Sequence, residues 1–130
     1  MDEPLPLPEN NKKEFMHNSK ITIEVLLDPN RVPESISWNA TDSTAEMDQK
    51  AKAMMISFWD GADKTALRID LWTKDMMVDE MGDFYYQTLM TMADTFSRAT
   101  QQNELVDDMK KFAAAFHKKF EALQIKNAEN

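Results

Sequence analysis

Apolar and polar residues alternate along "KITIEVLL" (residues 20–27), so that Ile21, Ile23, Val25 and Leu27 share one face and Thr22, Glu24 and Leu26 the other. That period of two predicts a half-buried strand. "DPNRVP" supplies Pro29, Asn30 and Pro33 for a turn, and "ESISWNA" resumes the alternation with Ile36, Trp38 and Ala40. Together the two runs predict a hairpin. The period then changes. Ser43 and Glu46 stand at capping-box spacing, and Met47, Ala51, Met54, Met55 and Phe58 recur at helical steps. A helix from Thr44 to about Trp59 is expected, ended by Gly61 as its left-handed residue. "TALRIDLWT" reads as a third strand, with Leu67, Ile69 and Leu71 inward and Arg68, Asp70 and Trp72 outward.

Two further helices complete the pattern. Asp75 is placed to cap the first of them, Asp79 and Glu80 suit its positive end, and Val78, Met81, Tyr85, Leu89, Met92 and Phe96 form its expected buried stripe. After a polar break, "SRATQQNE", the residues Leu105, Met109, Phe112, Phe116, Phe120 and Leu123 give the last helix a second stripe. The order strand, strand, helix, strand, helix, helix (ββαβαα) implies an α+β fold. Its core is a small three-stranded sheet, antiparallel or mixed, with helices covering one face and strand order 2-1-3 if the first helix crosses over. The expected organisation is a flexible N-terminal tail over residues 1–18, punctuated by Pro4, Pro6 and Pro8, one α+β domain over 19–125, and a C-terminal tail over 126–130. Two open sheet edges leave room for strand pairing across a homodimer axis.

Composition narrows the function. A chain of 130 residues suits a single core, and 15 basic against 23 acidic residues give a net charge of −8. That balance repels phosphate backbones and anionic lipid, so neither a nucleic-acid partner nor membrane insertion is expected. The absence of cysteine excludes disulfides, thiolate ligands, a cysteine nucleophile and a lipoprotein anchor. No run approaches the ~20 apolar residues of a membrane span, and the acidic, proline-rich start lacks the form of an export signal. A cytoplasmic location is therefore expected.

Candidate chemistry is sparse. His17 and His117 have no partner at metal-motif spacing, and with two glycines neither the dinucleotide fingerprint nor the P-loop can be written. Asp75, Asp79 and Asp83, with Glu80 beside them, could share a helix face and hold a hard cation, but a solvated helix N-terminus is the better explanation. No catalytic residue, cofactor or metal site is assigned. The outer side of the third strand and its exit are less bland, because tryptophan beside arginine is a combination that anchors protein interfaces. Arg68, Asp70, Trp72, Lys74 and Asp75 are expected to form an aromatic-centred charged patch, extended by the adaptable thioethers of Met76 and Met77.

The string "LRIDLWTKDMMVDEM" (67–81), continued by "QTLMTMADTFSRAT", resembles the bacterial gliding motility protein GldC family. "KITIEVLLDPNRVPESISWNATDS" and "AKAMMISFWD" are similar to the same family, so the resemblance covers about residues 19–124. It implies a small, soluble protein associated with gliding motility that has no catalytic residues to carry over. The expected function is that of an accessory or adaptor protein acting on a protein partner. The alternative is a chaperone-like holder of unfolded secretion or motility substrates.

Overall fold

The computed structural model describes residues 16–45 and 47–129. Among these residues five strands precede two helices: β1 (Ile21–Leu27), β2 (Pro33–Ala40), β3 (Gln49–Ala51), β4 (Ala53–Asp60), β5 (Thr65–Trp72), α1 (Val78–Thr100) and α2 (Asn103–Glu129). The class is α+β. The chain divides into two compact units, one ending at Lys74 and containing every strand, the other starting at Asp75 and containing both helices.

In the strand unit, β1 and β2 form the expected hairpin, with Val25 opposite Ile36 and Ile23 opposite Trp38. Its turn is organised by one carboxylate. Asp28 Oδ1 accepts the amides of Asn30 (2.7 Å) and Val32 (2.9 Å), while Arg31 takes the left-handed conformation at φ 63°. β3 adds antiparallel to β2 with Ala51 opposite Ile36, and β4 pairs antiparallel with β5 from Ala53 opposite Trp72 to Asp60 opposite Thr65. Ile36, 1% exposed, is the large side chain this unit buries completely.

The expected helix over residues 44–59 is instead β3 and β4. In place of a single three-stranded sheet in ββαβαα order there are two antiparallel sheets, β1-β2-β3 and β4-β5. With no helical crossover, the mixed 2-1-3 arrangement disappears too. The reason lies in "AMMISFW": apolar residues occupy both faces, so the run carries no period, and its Ile56, Phe58 and Trp59 are strand formers. Ser43 does not cap a helix. Its hydroxyl donates to the Ala40 carbonyl (2.7 Å) and accepts the Ala45 amide (3.0 Å), a turn that sends the chain back along β2. Glu46, the other half of the expected capping box, lies outside the described residues. The left-handed residue of the β4–β5 turn is Lys64 at φ 53°, not Gly61, whose φ is negative.

The helical unit follows the sequence more closely. The residue flanking α1 is Met77 rather than the expected cap Asp75, and the Met77 amide donates to Glu80 Oε1 (3.2 Å). Glu80 therefore satisfies a donor at the helix start that Asp75 was expected to serve. Gln101, at φ 54° and ψ 28°, ends α1 by donating its amide to the Ser97 carbonyl (2.9 Å), and only Gln101 and Gln102 separate the helices. Across the seam Gly82 faces the Phe120 ring, Tyr86 stacks on His117 with ring centroids 4.2 Å apart, and Asp94 pairs with Lys110 at 2.8 Å. Position rises on one helix as it falls on the other, so the two run antiparallel in constant register.

The buried line follows the expected stripes only in part: Met81, Leu89, Phe96, Met109, Phe116 and Phe120 are half-buried. Ala93 and Ala113 are fully enclosed and Val106 nearly so, whereas Val78, Tyr85, Met92, Leu105, Phe112 and Leu123 of the expected stripes are exposed. Small residues let two helix backbones approach closely, and exposed Tyr85, Met92, Leu105 and Phe112 are left one step round each helix. Gly82 is the extreme case. A Cβ there would collide with the edge of the Phe120 ring.

Candidate interaction surface

The β4–β5 hairpin is pinned at its tip by Asp60, whose Oδ1 accepts the amides of Ala62 (2.9 Å) and Asp63 (3.2 Å). Strand alternation then sorts the side chains into two faces. Met54, Ile56 and Phe58 pair with Leu71, Ile69 and Leu67 on one; Ala53, Met55, Ser57 and Trp59 pair with Trp72, Asp70, Arg68 and Ala66 on the other. Arg68, Asp70 and Trp72 are thus brought together as the alternation required. The Arg68 guanidinium grips Asp70 with two hydrogen bonds, Nε to Oδ2 at 3.2 Å and Nη2 to Oδ1 at 2.9 Å, which fixes the plane of both groups.

Trp59 stands at the far end of this face, 68% exposed, as Trp72 is 57% exposed at the near end. Reading residues 44–59 as a helix hid it. The usable signal was "DGADK" between two strand-forming runs, the pattern of a hairpin turn. Leu67 and Ile69, expected to face inward, are half exposed on the opposite face. A two-stranded ribbon has too few neighbours to enclose either side.

Lys74 is held elsewhere. Its Nζ lies 2.6 Å from Asp28 Oδ2 and 2.8 Å from Glu34 Oε1, and its amide donates to the Pro33 carbonyl at 3.2 Å, clasping the exit of β5 to the β1–β2 turn. The Lys74 ammonium, with help from the Val32 amide, holds the Asp28 carboxyl below its usual range; Asp28 and then Glu34 raise Lys74 above its own. Asp75, Met76 and Met77 lie in the second unit, on the approach to α1, where Met77 is exposed and Met76 half-buried.

Two other features bear on chemistry. A cleft of about 160 Å³ in the strand unit is lined by Ile21, Ile23, Ile36, Trp38, Ala51, Ala53 and Met54. Such a lining suits an apolar side chain, because beyond the Trp38 indole N–H it offers no side-chain hydrogen-bond donor to orient a polar substrate. His117 is engaged on two sides, stacking on Tyr86 and pairing through Nε2 with Glu121 Oε1 at 2.8 Å. Among the described residues no group of three His, Cys, Asp or Glu side chains is placed to hold a metal ion, and no helix is long and apolar enough to cross a membrane.

A family model described as "Gliding motility-associated protein GldC-like" matches residues 33–122, which span β2 to most of α2 and include the whole β4–β5 hairpin. No curated protein and no solved structure matches the chain.

Proposed function

Because the chain belongs to the gliding motility-associated GldC-like family, we propose that it is a non-catalytic adaptor that docks a protein partner on the Arg68, Asp70 and Trp72 face of the β4–β5 hairpin. The observation that carries this reading is one strand face with an exposed tryptophan at each end and an oriented Arg68–Asp70 pair between them. Aromatic and arginine side chains concentrate binding energy at interfaces, and a pre-formed strand face presents them at little further ordering cost. The clasp at Lys74 supports the face from below by fixing where β5 ends.

The test is the double substitution Trp72→Ala with Arg68→Ala in the full chain, captured against native lysate and identified by mass spectrometry. One stoichiometric partner should be retained by the wild type and lost by the variant, while the unfolding free energy changes by less than about 0.5 kcal/mol, as at other exposed sites. A partner held equally well by the variant, or a large loss of stability, would count against the reading. The opposite hairpin face favours a second reading. Phe58, Leu67 and Ile69 are all at least half exposed there, and a holder of unfolded chains would use such a surface to suppress aggregation of unrelated clients.

A further inference from the structure

The helical unit leaves an apolar face open. Val78, Tyr85 and Met92 on α1 and Leu105, Phe112 and Leu123 on α2 are between 45% and 67% exposed. Tyr85, Met92, Leu105 and Phe112 each stand immediately before a seam residue, namely Tyr86, Ala93, Val106 and Ala113. Each is therefore rotated from the seam by about 100° in the same sense. Because the two helices run antiparallel, rotations of equal sense bring both stripes to the same side of the hairpin. All five charged residues of α1 fall at least about a third of a turn from its stripe by the same periodicity, so this side of α1 carries no charge. Phe112, Phe116, Phe120 and Leu123 line a shallow groove on α2 with Lys119 at its rim.

We propose that this face is a homodimer interface on which a second copy of the chain stacks, its α2 antiparallel to the first. Three observations select a second copy as the occupant. The first is size: from Val78 to Phe96 the face is about 27 Å long and, across two helices, about 20 Å wide. Allowing for side-chain relief, that footprint is on the scale of the ~800 Å² per partner of a stable interface.

The second is self-complementarity. Leu105, Met109, Phe112, Phe116, Lys119 and Leu123 are spaced 4, 3, 4, 3 and 4 apart, an order that reads the same in both directions. A two-fold axis between Phe112 and Phe116 therefore sets Phe112 on Phe116 of the second copy and Leu105 on its Leu123. The third is charge. Under that axis, exposed Asp108 arrives beside exposed Lys119 of the other copy, and the contact occurs twice.

Sedimentation of the full chain at micromolar concentration should give a dimer. Phe112→Lys should give a monomer with unchanged helical circular dichroism, since the side chain is exposed in the single chain. Asp108→Lys should weaken the dimer about tenfold, two exposed charge contacts being altered at once, and adding Lys119→Asp to the same chain should restore it.

Because the chain has no cysteine, a mixture of Leu105→Cys and Leu123→Cys chains treated with oxidised glutathione should form a disulfide-linked dimer that neither variant forms alone. A monomeric wild type would overturn the proposal, including the case in which Phe112→Lys lowers stability because the face is covered by its own chain. A dimer that survives Phe112→Lys, or cross-links equal in the unmixed variants, would overturn it too.

Discussion

The two hairpins of this protein, one of strands and one of helices, handle the same problem in opposite ways. The α1–α2 hairpin encloses a seam of small residues, Gly82, Ala93 and Ala113, and its two helices are locked in register by contacts along their length. The β4–β5 hairpin encloses almost nothing and displays Trp59, Trp72, Phe58, Leu67 and Ile69. Close packing makes a position sensitive to volume, whereas an exposed rigid face makes it sensitive only to what binds there. Stability is therefore concentrated in the seam and recognition on the ribbon.

Substitutions test that contrast. The largest effect is expected at fully buried Ile36: Ile36→Ala should lower the unfolding free energy by about 2–5 kcal/mol in urea titration, far more than any change on the β4–β5 ribbon. Next comes Gly82→Ala. The helix-propensity gain of about 1 kcal/mol is opposed by overpacking against the Phe120 ring, for a net loss of about 1–2 kcal/mol. Adding Phe120→Leu should turn that loss into a gain, and a double-mutant cycle without coupling would refute the close approach.

Lys64→Gly should stabilise by about 0.5–1 kcal/mol, because a left-handed residue at φ 53° in a ribbon turn is strained for any side chain but natural for glycine. The smallest effect belongs to the Lys74 clasp, which is screened by solvent. Asp28, its carboxyl held below 3.8, adds stability that is complete above pH 3.8 and is lost as pH falls through the lowered folded value. Lys74, raised above 10.5, adds stability that is complete below pH 10.5 and is lost as pH rises through the raised value. The melting temperature of Lys74→Met should therefore trail that of the wild type by a constant amount between those limits and converge on it outside them.

Local pattern revealed the elements whose two faces differ. β1 and β2 alternate cleanly, and both helices were legible from their apolar spacing. Residues 53–59 were not, because Met54, Ile56 and Phe58 on one face and Met55 and Trp59 on the other blur the period of a strand. Spacing also drew Tyr85, Met92, Leu105 and Phe112 into the stripes, one step from the seam, since it weighs large apolar residues and overlooks Gly82, Ala93 and Ala113. On the ribbon, Arg68, Asp70 and Trp72 followed from alternation alone. The hold of Asp28 and Glu34 on Lys74 did not, for it joins residues remote in sequence, and no local rule carries that information.

The two-residue link at Gln101 and Gln102 also governs how the helical unit comes into being. Contacts next to a tight turn join residues near in sequence, and such contacts form fastest because little chain must be closed to make them. By that rule Asp94 and Lys110 are expected to meet first, Tyr86 and His117 next and Gly82 and Phe120 last, an order that φ-values at Lys110, His117 and Phe120 would test. A chain made in this order commits to its helix pairing before its most demanding steric fit is tried.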